Sequence, residues 1–447
     1  MTHSEGSQKK PDKLQLDKTM VDKTTLDQQI VVIGAGLVGA VQALLLARAG
    51  FHVTVVEQRS LLSSSGEKDN SRTVALSDRS YQLLAGADMW PDIEQCPIRS
   101  VCVTEQGKFG SVKLHARKLN VEALGYVLSN KNFESYLHDL LRAEQNITVV
   151  ESATVVSVNS AAHEASIALE QNSDKAGDRA GTEKLLAADL VIAADGTNSV
   201  IREKLGIDTD GRDYHQCAVL ANVQTTKPHQ HIAFERFTKD GPLALLPLGV
   251  NDGVNDTERS EKNSHLYSMI LTAPLDQKEQ LEKISDNEFL DLLQKKFGGR
   301  QGKFEKISKR FVAPLKLVVS SKQVDHRFVL IGNAARTLHP VAGQGMNLAL
   351  RDVFELTSCV SGSSDLDAAL DEFVSRRRRD QFVITSQTDL LARVFTQKWP
   401  LRAPVSLASG FSFLVLDFLD PVKKTFASMN MGHHIPLPHS DASERGW

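Results

Sequence analysis

Short, wholly apolar runs mark the early part of the chain. Ile30–Ile33 is β-branched throughout, the pattern of a strand buried on both faces of a parallel sheet. The glycine turn Gly34–Gly39 follows it. Ala40–Ala49 then reads as a helix, stopped at Gly50. Val53–Val56 repeats the buried-strand pattern and ends at Glu57. Together these residues make a strand–turn–helix–strand unit.

Further along, the periodicity changes. Residues 99–115 hold two short strand-like runs around Gly107 and Gly110. Residues 131–145 read as a helix with Phe133, Leu137, Leu140 and Leu141 on one face. Residues 147–157 and 164–170 alternate like a hairpin, with Ser173–Lys184 as a polar connection. Leu190–Ala193 is another buried strand, running into Asp195–Gly196. Residues 216–271 read as antiparallel strands of a second sheet, interrupted by the polar loop Asn251–Ser264. Asn287–Phe297 is helical, Arg310–Val319 extended, Phe328–Ile331 a buried strand and Gly345–Val360 a long helix. The remainder is mostly helical. The Arg376–Arg379 run reads as a solvated helix face, with pairing to anionic lipid as the alternative. Leu407, Phe411, Leu414, Val415, Phe418 and Val422 fall at helical spacing. They read as a helix packed on the nucleotide domain, or as an apolar surface for a membrane or partner.

This order predicts an α/β chain with a discontinuous Rossmann-type nucleotide domain (29–98, 116–208 and 323–360). A mostly antiparallel sheet domain for substrate (99–115 and 209–322) is inserted into it. A helical region (361–447) follows, and residues 1–28 form a disordered polar extension.

Composition narrows the function. The chain has 447 residues, 41% of them hydrophobic, and a formal net charge of −3. With no basic excess to neutralise a phosphate backbone, nucleic acid is not an expected partner. Cys96, Cys102, Cys217 and Cys359 show no CxxC spacing. They read as incidental thiols in a reducing compartment, and no metal site is expected. The first 28 residues lack the apolar core of a signal peptide. No apolar run approaches the roughly 20 residues of a spanning helix. The expected location is the cytoplasm, at most peripheral to the inner membrane.

Gly34-Ala35-Gly36-Leu37-Val38-Gly39 matches GxGxxG between a strand and a helix. Gly34 permits the tight turn, Gly36 lets the backbone approach a pyrophosphate, and Gly39 lets helix and strand pack closely. The helix start supplies N–H groups and partial positive charge. Glu57 is placed to accept from ribose hydroxyls, and its charge disfavours a 2′-phosphate. This turn alone does not separate FAD from NAD. Two further strand–loop–helix stretches bear on that choice: Asp195-Gly196-Thr-Asn-Ser-Val-Ile-Arg202, and Gly332-Asn333-Ala-Ala-Arg-Thr-Leu-His-Pro-Val-Ala-Gly343-Gln-Gly345-Met346-Asn347. In the latter, Gly343-Gln-Gly345 sets bare N–H groups at a helix start, suited to negative charge on a reduced flavin.

With these three motifs the chain resembles the FAD-dependent aromatic hydroxylases, the group that includes para-hydroxybenzoate hydroxylase. The resemblance covers roughly residues 29–400. It implies FAD held by Gly34–Gly39, Glu57, Arg72, Asp195, Gly196 and the 332–347 loop, with Arg72 near the cofactor phosphates. The family usually has Asp after Gly332, and this chain has Asn333, so a charge at the ribitol is lost. Within the family the loop is similar to the ubiquinone-biosynthesis branch, the octaprenyl-methoxyphenol hydroxylase subgroup, where Asn is usual. Ala218–Val223, Ala233–Thr238 and Gly241–Pro247 carry the same likeness.

The resemblance implies hydroxylation of a polyprenylated methoxyphenol. NAD(P)H would be a transient reductant, and one atom of O2 would be delivered through a flavin C4a-hydroperoxide. It also raises a complex with other enzymes of the pathway. Alternatives are a sister hydroxylase acting at another ring position, an NAD-dependent dehydrogenase, and a non-catalytic FAD-binding scaffold. Candidate substrate residues are Phe234, Leu246, Pro247 and Pro340. For catalysis His339 and Arg236 are weak candidates, with loop capping by His339 and ion pairing by Arg236 as the plainer alternatives.

Overall fold

The computed structural model describes residues 28–61, 72–108, 110–161, 164–171, 182–249, 264–394, 428 and 431–433. The polar extension before residue 28, most of the loop Asn251–Ser264 and the apolar segment from 405 to 422 lie outside the described residues.

A six-stranded sheet forms the base, in the order Val324–Asp325, Phe328–Leu330, Leu190–Ala193, Gln29–Ile33, His52–Val56 and Ile147–Val150. Its pairs are parallel except the first, at the edge. Residues far apart in sequence meet at its centre, as in Val32 beside Ile192 and Ile192 beside Val329. Strand alternation then sorts the side chains. Ile30 and Val32 enter a core with the helices Leu37–Arg48, Asn130–Ala143 and Gln344–Ser361. Val31 and Ile33 enter another, against the three-stranded sheet of Ala153–Ser160, Ala165–Gln171 and Thr182–Ala188. Apolar cover on both faces explains why the strand shows no polar alternation.

Two readings from the sequence change here. The first helix begins at Leu37 with Gly36 as its N-cap, so Gly39 lies inside it. The stretch 147–157 is not one hairpin arm. It breaks at Ser152, whose φ is +54°. Ile147–Val150 joins the parallel sheet, and Ala153–Ser160 alone pairs with Ala165–Gln171.

The second sheet has nine strands. Its path runs Arg336–Thr337, Phe311–Ser320, Thr209–Thr225, Leu266–Pro274, Gly241–Pro247, Ile232–Thr238, Ser100–Glu105 and Val112–His115, with Phe304–Ile307 beside Thr209–Thr225. It is antiparallel apart from the pair of Ile232–Thr238 with Ser100–Glu105. Leu281 of Lys278–Lys283 and Phe289, Leu293 and Phe297 of Asp286–Phe297 cover one face. The latter helix starts with a capping box between Ser285 and Glu288.

A small sheet of Thr73–Ser77, Gly125–Ser129 and Gln95–Ile98 bridges the two large ones. Val74, Leu76, Tyr126 and Leu128 belong to the nucleotide-side core. Ile98 and Val127 meet Ala233 and Leu246 of the second sheet.

The long helix Leu366–Val394 carries the arginine run, and the expectation of a solvated face fails at its centre. Arg377 is 2% exposed. It pairs with Asp352 at 2.6 Å and also with Asp380, while Arg351 meets Asp380 at 3.0 Å and Arg336 meets Asp352 at 3.5 Å. Consecutive helical residues point about 100° apart, so four arginines in a row cannot share one face. Arg376 pairs with Glu355 and Glu372, and Arg378 and Arg379 are exposed.

Candidate active site

The glycine turn is shaped by backbone needs. Gly34 has φ +97°, and a Cβ there would sit 2.7 Å from the Ala194 carbonyl oxygen. A Cβ on Gly39 would lie 1.9 Å from the Gly34 oxygen. A Cβ on Gly36 would meet nothing within 4 Å. Gly36 therefore borders open space at the start of Leu37–Arg48, a helix with no side-chain cap and no acid in its first turn. Its N–H groups and dipole are left for an anion. The Ala35 N–H donates to Glu57 Oε2 at 2.8 Å, which fixes the buried carboxylate at this turn. From the other side His138 Nε2 donates to the Ala35 carbonyl at 2.8 Å.

The Asp195–Gly196 loop lies at the end of the neighbouring strand. Asp195 Oδ2 accepts from the Ile201 N–H at 3.2 Å, and its buried Oδ1 has no partner among the described residues. Arg202 ties this loop to the third motif, donating to the carbonyls of Thr197 and Ala334 at 2.8 Å each. Thr337 Oγ1 donates to Thr197 Oγ1 at 2.9 Å. Gly332 takes φ +58° against Val38, which brings the third loop onto the first helix. The Asn333 side chain is exposed.

The helix Gln344–Ser361 opens at Gly343, in the left-handed region at φ +59°, again with no side-chain cap and no acid in its first turn. Gly345 borders open space and Met346 packs on the nucleotide-side core. Asn347 accepts from the Ser77 N–H at 2.8 Å and from Ser80 Oγ at 2.7 Å. It donates to the carbonyls of Ala75 (3.1 Å) and Gly343 (2.8 Å). An amide side chain has four bonds to give, and all four are used. Asn347 thus serves to lock the loop onto Thr73–Ser77, not to contact a cofactor through its side chain. Arg72 stacks its guanidinium 4.0 Å over the ring of Phe311 in the second sheet.

Between the Pro340–Gln344 turn, the small sheet and the second sheet lies a cavity of about 180 Å³. Its walls include Ile98, Val101, Leu124, Ala244, Leu246, Ile270 and Pro340. Leu246 and Pro340, expected to touch substrate, are there. Phe234 borders the cavity too, but its ring packs at 5.6 Å against Phe297 on the sheet's other side. Pro247 is buried and is not part of the wall.

Neither catalytic candidate reaches this space. Arg236 turns to the opposite face, where it donates to the Lys296 carbonyl at 3.0 Å and to Thr104 Oγ1 at 3.3 Å. His339 is 1% exposed, and burial pushes its pKa down to about 4, so the ring is neutral near pH 7. The Val341 N–H donates to its Nδ1 at 3.1 Å, and Tyr214 meets the ring edge-on. Its observed work is loop capping.

The sequence reading passed over His138, Arg202 as a cross-link between loops, and Glu235, which lines the cavity. Strand alternation groups Glu235 with Ala233 on one face, but which face meets the cavity is set by the helix that covers the other. Along Ile232–Thr238 the residues facing the cavity are Ala233 and Glu235, because Phe234 and Arg236 face the covering helices. Of the two residues chosen on this strand, Phe234 borders the cavity and Arg236 does not.

Two open, capless helix starts, a glycine turn closed by Glu57 and an orphaned Asp195 oxygen fit the pyrophosphate, ribose and ring of FAD. Beside a mostly apolar cavity they suit a flavin-dependent aromatic-ring monooxygenase. The chain belongs to the family whose members share the FAD binding domain, which matches residues 27–379. It is 29% identical over 415 residues to the ubiquinone hydroxylase UbiL of Rhodospirillum rubrum, covering 90% of this chain and 89% of that one. It is 28% identical to the 3-demethoxyubiquinol 3-hydroxylase of Escherichia coli, over 83% and 91% of the two chains. Its fold is similar to that of p-nitrophenol 4-monooxygenase PnpA from Pseudomonas putida, with a TM-score of 0.69 and 18% identity, covering 90% of this chain and 98% of that one. Among the described residues no helix is long and apolar enough to cross a membrane.

Proposed function

We propose that this protein hydroxylates the ring of a polyprenylated methoxyphenol in ubiquinone biosynthesis, with O2 as oxygen donor and NAD(P)H as transient reductant. The observation that carries this reading is the apolar cavity at the Pro340–Gln344 turn, beside the helix start suited to a flavin ring. Its wall accepts an electron-rich, weakly polar ring. The named functions of the two relatives above support a ring on the ubiquinone pathway.

FAD, when bound, supplies the two-electron chemistry that activates O2. The chain's residues position and shield it. Gly34, Ala35, Gly36 and Gly39 form the pyrophosphate turn, and Glu57 holds the adenosine ribose. Arg72, Asp195, Gly196, Gly332 and Asn333 line the path toward the ring. Gly343, Gly345 and Met346 present the helix start to it. Asn347 keeps that start in register. Leu246, Pro340 and Ile270 exclude water beside the reacting carbon. Peripheral contact with a membrane, or with other enzymes of the pathway, would give a lipid-borne substrate its route in.

The test is quinone-intermediate profiling in a deletion strain, paired with NAD(P)H oxidation by the purified holoenzyme. The expected outcome is accumulation of a methoxyphenol precursor and phenol-stimulated oxidation. Accumulation of a precursor lacking a different ring hydroxyl would assign the sister position. Unchanged quinone with no phenol stimulation would leave an FAD-binding scaffold.

A further inference from the structure

Resting on that reading, we propose that Glu235 is the group that holds the substrate's phenolic hydroxyl and takes its proton during hydroxylation. Among the described residues on the cavity wall it is the one ionisable side chain; the polar ones beside it are Ser77, Gln344 and Asn347. Its place there follows from register. Glu235 stands opposite Ala244 on one neighbouring strand and Val103 on the other. Ala244 lines the cavity, while Leu243 and Leu245, one residue either way, enter the core under the covering helices.

A carboxylate in a largely apolar wall is costly unless it is paired or neutralised by a proton. Burial alone lifts its pKa to about 7. The charged groups on the elements packed around it are engaged elsewhere or face solvent. Glu105 pairs with Lys108, and Asp78 with His433. Asp240 pairs with Lys296, Arg236 is turned away, and Lys113 and Lys239 are exposed. A carboxyl poised near neutrality suits a general base.

The step balances simply. The phenolic O–H bond breaks, the proton moves to a Glu235 oxygen, and the electron pair stays on the phenol oxygen. That pair enriches the ring carbon that attacks the electrophilic oxygen. As the new C–O bond forms, the O–O bond of the dioxygen activated by two electrons from NAD(P)H breaks. The leaving oxygen keeps that electron pair and takes up the ring's C–H proton on its way to water, while the proton on Glu235 returns to the phenol oxygen.

The experiment compares wild-type, Glu235→Gln and Glu235→Asp holoenzymes. Equilibrium dialysis of a short-chain prenylated methoxyphenol against the oxidised protein measures binding. Hydroxylation is followed from pH 5.5 to 9. Glu235→Gln is expected to bind the phenol within about threefold of wild type. Its hydroxylation is expected to fall on the order of 100-fold, a typical contribution from a positioned base. The wild-type rate should drop below pH about 7, and the variant should lack that limb. Glu235→Asp should restore part of the rate. A Glu235→Gln enzyme with normal rate and an unchanged acid limb overturns the assignment and leaves the proposed function standing. Wild-type enzyme that neither binds nor hydroxylates the phenol overturns both.

Discussion

At the scale of single residues, the glycines of the first turn separate two kinds of constraint. Gly39 is fixed by the fold, because its missing Cβ would overlap the Gly34 carbonyl. Gly36 borders open space among the described residues, so a side chain there would block only the proposed pyrophosphate contact. Gly39→Val is therefore expected to abolish folding, read as loss of soluble protein. Gly36→Val should fold with an unchanged melting temperature yet purify without flavin, read from its absorbance. Glu235 makes a different residue-level prediction, about stability. Its folded pKa lies above the unfolded value, so the folded state binds more protons between about pH 4.5 and 7. Stability relative to Glu235→Gln is then fully present below pH 4.5 and lost as pH rises through about 7, by about 3 kcal/mol. Parallel unfolding curves for the two proteins at pH 4.5 and pH 8 measure this difference; an equal gap at both pH values would show the carboxyl to be well solvated.

At the scale of elements, the local signals were strong where burial was simple. Ile30–Ile33, Val53–Val56 and Leu190–Ala193 were legible because strands covered on both faces carry no polar positions. The glycine turn was legible because it needs conformations that other residues adopt poorly. Faces and partners were not. Nothing local distinguishes Glu235 from Arg236 as the residue toward the cavity, because that choice depends on which side the helix Asp286–Phe297 covers. Nor does the sequence show that Asn347 spends its amide on Ser77 and Ala75, some 270 positions earlier in the chain. The Arg376–Arg379 run misled for a related reason: its buried member is identified by Asp352, on another helix. Breaking that network leaves buried charge unpaired. Arg377→Leu is expected to destabilise the protein by about 3–5 kcal/mol, measurable by urea unfolding, whereas Arg379→Leu should change stability by less than about 0.5 kcal/mol.

At the scale of the molecule, the two large sheets cannot be treated as separable lobes. Arg336–Thr337, next to the flavin-side turn, is an edge strand of the second sheet. The pair Ser100–Glu105 and Val112–His115 extends that same sheet from the opposite edge. Replacing residues 209–322 by a short glycine linker would strip both of partners and expose the Ile98–Val127 surface. The expected result is aggregation, read as loss of soluble material. A monodisperse, yellow product would show instead that the nucleotide part folds alone.

The parallel pairing of Ser100–Glu105 with Ile232–Thr238 also has a meaning in time. The earlier strand leaves the ribosome more than a hundred residues before the one it must lie beside. At elongation rates of about 5–20 residues per second, that interval is roughly 6–25 s. Through it, the nascent hairpin has an unsatisfied edge and nothing of its own to dock on. Phe328, needed to finish the parallel sheet, emerges later still. Maturation of this enzyme is thus tied to completion of nearly its whole length, and premature termination anywhere before that strand would release a chain with two unfinished sheets.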